Sequence, residues 1–258
     1  MTFTARPSDV PDELVALTRR LGDPAADLVV LAEGNTSTRL PGDRFAVKAS
    51  GARMDVAGPG HFVVGELAEL LAVLDGGTAD QTTLTQLLSA GTSQASIETL
   101  VHVAALAAGA TWVAHTHPTA VVGLLAVTGA EELWSAPFFP DEAVVLGEPV
   151  WVPYAAPGLA LGRAVHAAIR QRCERDGVPP RLVLLGNHGI VALGATAAEV
   201  ETVTTMAVKA ARVRAVALAA GHPAPLDPAH GRELAGRPDE TARRTMLGRS
   251  PTRPQEVS

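Results

Sequence analysis

Residues 181–194 read RLVLLGNHGIVALG. Two short apolar runs, rich in Leu, Val and Ile, are broken at Gly186-Asn187. Each is too short for a stable helix, so the pair reads as two strands joined by a tight turn that carries His188. The following stretch, TAAEVETVTTMAVKAARVRAVALAAG at 196–221, is long, alanine-rich and ends on glycine, which predicts a long helix. A second apolar run, WVAHTHPTAVV at 112–122, predicts a strand from Thr111 to His115 that Pro118 terminates.

Further out, the same alternation recurs. NTSTRLPGDRFAVKAS at 35–50 predicts a hairpin split by Pro41-Gly42-Asp43, and FVVGELAELLAVLDGG at 62–77 a strand leading into a helix stopped by glycines. PSDVPDELVALTRRL at 7–21 reads as a capped amphipathic helix, followed after GDP by a second apolar segment, AADLVVLA. Helices are also expected from Ser96 to Ala108 and over LGRAVHAAIRQRCERDG at 161–177. Strands and helices mixed along the chain with short connections imply one layered α/β domain, residues 1–221. After Gly221 the chain turns rich in Pro, Arg and Asp, and residues 222–258 are expected to be a loose or partner-dependent polar tail.

Composition narrows the function. The 258 residues are 47% hydrophobic and 19% charged, enough for one well-buried domain. A formal net charge of -6 leaves no basic excess for a general nucleic-acid binder. Cys173 is the single cysteine, so no internal disulfide forms and a reducing compartment is expected. The N-terminal residues have no apolar signal core and no apolar run reaches spanning length, so neither membrane association nor export is expected and the cytoplasm is the expected address.

The chemistry concentrates on histidines. On a strand, residues i and i+2 project from one face, so His115 and His117 can offer two imidazoles to one ion at the strand's C-terminal mouth. Two histidines that simply end a strand, hydrogen-bonded or exposed, fit the same spacing. His188 also follows a buried-strand pattern, which could bring it to the same sheet edge; alone it reads as a turn histidine. Glu98, in ASIETLVHVAAL at 95–106, lies in the first turn of the expected helix, two residues after Ser96. N-capping by serine with a dipole-favoured carboxylate explains that pair without any ligand. His102, four residues later on the same face, reads as a packing or supporting residue. His61, His166, His222 and His230 have no partners by spacing. Two loops, AEGNTS with Gly34-Asn35 and KASG with Ser50-Gly51, suit anions, because glycine admits close backbone approach and Asn, Ser and N–H groups bind oxygens.

Taken in order, GNTSTR, KASG, SIETLVH, HTHP and NHG resemble the class II aldolase/adducin family, over roughly residues 10 to 220. The ordered set is far more specific than any member. The resemblance implies an α/β/α fold whose central, largely antiparallel sheet is covered by helices. It implies a zinc or other divalent ion held by His115, His117 and His188, with Glu98 completing the coordination and serving as acid/base. It implies that Asn35, Ser50, Gly51 and Ser96 hold a substrate phosphate, and that the protein is a homotetramer with sites at subunit interfaces. The implied activity is that of a metal-dependent aldolase, cleaving a phosphorylated ketose or related hydroxycarbonyl compound through a zinc-stabilised enediolate. Epimerisation, dehydration and decarboxylation use the same scaffold, and adducin-like members use it without catalysis. The chain departs from the sugar-phosphate aldolases in two places. Ile97 stands where a second serine precedes the glutamate, and the single tyrosine, Tyr154 in VPYAAPG, does not match their tyrosine proton donors.

Overall fold

Alternation along the strands is what builds the two faces of the sheet. In the computed structural model Trp112 and Ala114 pack into one apolar core while Val113, between them, packs into the other. The same division holds for Leu182 and Leu184 against Val183 and Leu185, and for Ile190 and Ala192 against Val191 and Leu193. Each strand is therefore buried on both sides, which explains the near-continuous apolar runs. The structure describes residues 3–239 apart from 5, 77–79 and 91–92, together with 242 and 246.

The strands are β1 (Phe3–Thr4), β2 (Asn35–Leu40), β3 (Arg44–Lys48), β4 (Phe62–Glu66), the two-residue pair β5 (Ser89–Ala90) and β6 (Ser93–Gln94), β7 (Trp112–Thr116), β8 (Val150–Val152), β9 (Leu182–Leu185) and β10 (Gly189–Gly194). The helices are α1 (Asp12–Leu21), α2 (Leu67–Leu74), α3 (Gln81–Leu87), α4 (Thr99–Ala107), α5 (Thr119–Leu125), α6 (Ala130–Leu133), α7 (Pro140–Leu146), α8 (Leu159–Asp176), α9 (Ala197–Ala220) and α10 (Pro228–Gly236). Eight strands form one sheet in the order β1-β4-β3-β2-β7-β10-β9-β8. Every neighbouring pair in it is antiparallel except β8 with β9. Helices α1, α5 and α9 cover one face, and α2, α4 and α8 the other. The fold is thus the expected α/β/α arrangement with a largely antiparallel central sheet.

Close approach of α8 to α4 rests on Gly162, where an added Cβ would lie 2.5 Å from the Leu100 Cβ. That spacing sets how closely α8 packs over α4. No helix among the described residues is long and apolar enough to cross a membrane.

Three local differences from the sequence reading have physical causes. Helix α4 begins at Thr99 rather than Ser96, because Ser96 Oγ accepts the Glu98 N–H and closes a turn ahead of it. Strand β7 runs one residue later than expected, since Thr116 still pairs with Ile190. The apolar run after Asp23 forms no long element: Leu28 is buried, but Val30 and Leu31 are exposed. Asp27 and Leu31 adopt left-handed backbone there, which breaks helical or strand continuity. Beyond Gly221, α10 packs its Gly231 against Pro137 and Ala143, and Leu226 N–H donates to the Pro137 carbonyl at 2.8 Å.

One buried ion pair ties this wall together. Arg214 of α9 and Glu142 of α7 meet 2.5 Å apart with side chains 0% and 3% exposed. The guanidinium also donates to the carbonyls of Leu133, Ala136 and Ala210 and lies over the rings of Trp134 and Phe138. Glu142 in turn accepts the Phe138 N–H. Removing one partner strands a desolvated charge, so Glu142→Ala should cost about 3–5 kcal/mol in urea unfolding. A loss below ~1 kcal/mol would show that the pair is solvated and contributes little.

Candidate metal centre

Register brings the histidines together. Antiparallel pairing sets His115 opposite Val191 on β10 and opposite Asn35 on β2, so it stands mid-sheet at the end of β7. His188 occupies the turn between β9 and β10, one residue before the β10 pairing starts. Its neighbour Asn187 holds left-handed backbone (φ 55°), and an added Cβ on Gly189 would lie 2.5 Å from the Thr116 carbonyl oxygen. The N-H-G turn can therefore press directly against the end of β7. Glu98 reaches the same point from the start of α4.

The resulting cluster is compact. One donor atom from each of Glu98, His115, His117 and His188 falls within 4.8 Å of all the others. Glu98 Oε2 lies 3.2 Å from His115 Nε2, and Glu98 Oε1 3.0 Å from His188 Nε2. The Nε2 atoms of His115 and His117 are 2.9 Å apart. The three rings meet edge to face, with centroids 4.7, 5.1 and 4.9 Å apart. Three imidazole nitrogens and one carboxylate converging from different directions are the donor set that zinc and similar divalent ions accept.

Protonation favours the same use. The His115 Nδ1 donates to the Ile190 carbonyl at 2.9 Å, which leaves Nε2 to face the cluster. Burial alone would lower His115, but the charge and hydrogen bond of Glu98 outweigh it and raise the imidazole above its usual value. Burial would likewise raise Glu98, yet His115 and His188 hold its carboxyl well below the usual carboxylate range. His117 is pushed down to about 3, first by burial and then by the positive charge of His115 and His188. Glu98 and His115 thus favour their charged forms side by side, while His117 favours its neutral form.

The other expected residues are less uniformly placed. Ser50 N–H donates to the Gln94 carbonyl at 2.8 Å, and Ala49 bridges Ala95, so the KASG loop and the Ser96 turn lie side by side. Ser50 and Gly51 are exposed, and Gly51 takes a left-handed turn (φ 75°). Asn35 instead is buried, and its Oδ1 accepts the His102 Nε2 proton. His102 is completed by Ser37 Oγ at 2.7 Å from Nδ1; burial first, then the charge of His115, pushes it down to about 3. It is a neutral supporting residue beneath the site. Ile97 and Tyr154 are both exposed.

Two residues escaped the sequence reading. Lys48 closes an otherwise ordinary strand, yet it is 1% exposed, and its Nζ donates to the carbonyls of Ala49 and Ala52. Burial pushes it down to about 8 against the opposing pull of the Glu98 carboxylate. Glu33 sits beside the Gly34-Asn35 pair, with Oε2 3.6 Å from His117 Nδ1. Nothing in a single strand pattern distinguishes a lysine pointing inward from one at a solvated end.

The sequence profile of the class II aldolase and adducin N-terminal domain matches residues 12–215. The chain belongs to that family. No curated protein matches it significantly in sequence. Solved structures do resemble it in fold. They include L-fuculose-1-phosphate aldolase from Thermus thermophilus, at 22% identity over 83% of this chain and 100% of that one, with a TM-score of 0.59. YgbL from Klebsiella pneumoniae, described as a candidate aldolase/epimerase/decarboxylase, is 20% identical over 91% of this chain and 99% of that one, with a TM-score of 0.66. The class II aldolase domain from Thermoplasma acidophilum is 22% identical over 78% and 92% respectively, with a TM-score of 0.63.

The donor set of this class II aldolase/adducin chain generates a direct expectation. Purified protein should bind about one divalent ion per chain, and His115→Ala and His188→Ala should each lose most of it while circular dichroism shows the fold intact. Full metal content in both variants, measured by elemental analysis, would overturn the assignment.

Proposed function

We propose that the chain is a zinc-dependent carbon–carbon lyase of the aldolase type, acting on a phosphorylated ketose or related hydroxycarbonyl compound. The observation that carries the reading is Glu98: its two carboxylate oxygens bridge His115 and His188, at 3.2 and 3.0 Å, from the mouth of a helix. A scaffold without catalysis has no need of an ionised carboxylate buried among three imidazoles, which is costly to desolvate. His115, His117 and His188 are assigned to hold the ion, with Glu98 as its fourth, displaceable partner. A divalent ion bound there supplies Lewis acidity to a substrate carbonyl and its neighbouring hydroxyl.

The protein's own groups do the rest. Glu98, placed among the imidazoles at the start of α4, would take and return the proton at the carbon next to the substrate carbonyl. Ser50, Gly51 and Ser96 are assigned to the phosphate, since their neighbouring loops present hydroxyls and backbone N–H groups. Asn35 joins them through its amide N–H2, its Oδ1 being engaged by His102. Phosphate binding at a distance from the reacting carbons supplies orientation. Lys48 holds the KASG loop from behind through the carbonyls of Ala49 and Ala52.

The assembly proposed is a homotetramer. Val30, Leu31, Val56, Ile97 and Tyr154 are exposed on the loops at the histidine end of the sheet, an apolar surround suited to a neighbouring subunit. A monomer mass in light scattering at micromolar concentration would remove this part of the reading.

Glu98→Gln separates catalysis from architecture, because it keeps shape and hydrogen bonding but removes the proton acceptor. Turnover of a phosphorylated sugar, followed by triose release, should fall on the order of 100-fold or more. Proton exchange into dihydroxyacetone phosphate should fall with it, while metal largely remains. Exchange that survives unchanged would show that another group moves the proton. A panel of phosphorylated sugars that yields epimer, dehydrated or decarboxylated product instead of triose would replace the aldolase assignment.

A further inference from the structure

The three imidazoles differ in what holds them from behind. A metal-ligating histidine is oriented by the partner of its other ring nitrogen, which also sets how strongly the ligating nitrogen donates. His115 has the Ile190 carbonyl at 2.9 Å from Nδ1. His188 Nδ1 is buried without a hydrogen-bond partner among the described residues, but its backbone is fixed by the turn it occupies. His117 lies past the end of β7, so no ladder pairing holds its residue, and its side chain is 18% exposed. Its Nε2 faces His115, so Nδ1 is the outward nitrogen, and there Glu33 Oε2 stands 3.6 Å away.

Glu33 is not a free surface carboxylate. Its Oε2 accepts the Val30 N–H at 2.9 Å, and its own N–H donates to the Val30 carbonyl at 3.1 Å, closing a tight loop. That loop is bound to the His117 segment from both sides. His117 N–H donates to the Leu28 carbonyl at 2.9 Å, and Thr119 Oγ1 donates to Asp27 Oδ1 at 2.8 Å. At the loop's end Gly34 turns with φ 67°, where an added Cβ would be 2.9 Å from the His115 carbonyl oxygen. Leu31 stays in left-handed backbone while 84% exposed, a conformation that costs a branched residue energy and that apolar burial does not repay. The loop's own hydrogen bonds retain it, and what they hold in place is the Glu33 carboxylate beside His117.

We infer that Glu33 is a positioning residue of the metal centre, the outer carboxylate that orients His117 and strengthens its Nε2 as a ligand. The inference rests on the reading of the four-residue cluster as a metal site. At 3.6 Å the contact is electrostatic, and a metal drawing charge from the ring makes Nδ1–H more acidic and the attraction to the carboxylate stronger. A plain loop-closing role for Glu33 needs only its acceptor for Val30, which glutamine retains. A role toward the metal needs the charge.

The test measures zinc affinity by competition with a chromophoric chelator, for wild type, Glu33→Gln and Glu33→Ala. Thermal melting of the metal-free proteins is recorded in parallel. Glu33→Gln should weaken zinc binding about 10-fold and Glu33→Ala by about 10- to 100-fold. The metal-free melting temperature of Glu33→Gln should stay at the wild-type value. Wild-type affinity in Glu33→Gln, whether or not Glu33→Ala loses it, overturns the inference and leaves the metal centre standing. A wild type that takes up no zinc or other divalent ion removes the metal centre, and the inference with it.

Discussion

Antiparallel pairing of β7 with β10, His115 opposite Val191, is the constraint on which the site depends. A slip of one residue would turn His115 from the α4 face of the sheet to the α1, α5 and α9 face. His115 lies on the same face as Val113, which packs with Leu100, Val101 and Val103 of α4. That face is where α4 delivers Glu98. The register is in turn held by apolar side chains on both surfaces, so core packing and site geometry cannot be changed independently. Gly189 and Asn187 finish the arrangement, since only a turn with little bulk and left-handed backbone lets His188 press against Thr116.

The polar groups placed so deep are mutually compensating. Asn35, Ser37 and His102 satisfy one another under the site, and Lys48 gives its protons to loop carbonyls. Glu98 is the pivot: it raises His115, opposes the burial of Lys48 and His102, and is itself held ionised by the imidazoles. Around this pivot the imidazoles divide their work. Burial and the neighbouring imidazole charges push His117 down to about 3 and favour its neutral form, while Glu98 raises His115 and favours its charged form. A carboxylate held ionised in such surroundings is a weak base, and it would accept a proton more readily if the charge of a neighbouring imidazole were withdrawn.

Much of this was legible in the sequence, for reasons that can be named. The hairpin at Pro41-Gly42-Asp43, the strand pair around Gly186-Asn187 and the long helix α9 followed from local turn chemistry and periodicity. The placement of His115 and His188 at one edge was suggested by their matching settings after apolar runs. What stayed hidden depends on contacts distant in the chain. Lys48 ends a strand as an ordinary charged residue would, and its burial comes from the loop folding over it. Glu33 precedes a Gly-Asn turn, and only the tie between Leu28 and His117 brings it to the imidazole. Nor does composition reveal that Val30 and Leu31 lie outside, because an apolar run promises burial unless left-handed backbone intervenes.

Family membership and reaction are carried by different parts of the molecule. The histidine cluster with Glu98 suits any chemistry that needs a polarised carbonyl and one mobile proton, whatever the reaction. Discrimination must come from groups that meet the remainder of the substrate. Ile97 beside Ser96 offers no hydroxyl, and Tyr154, exposed beyond β8, is not among the four residues of the cluster. On the proposed aldolase reading a proton donor besides Glu98 is needed, and the single tyrosine does not stand in the cluster to serve as one. On the proposed tetramer reading, the exposed Val30, Leu31 and Ile97 around the cluster are the side from which a neighbouring chain would bring one.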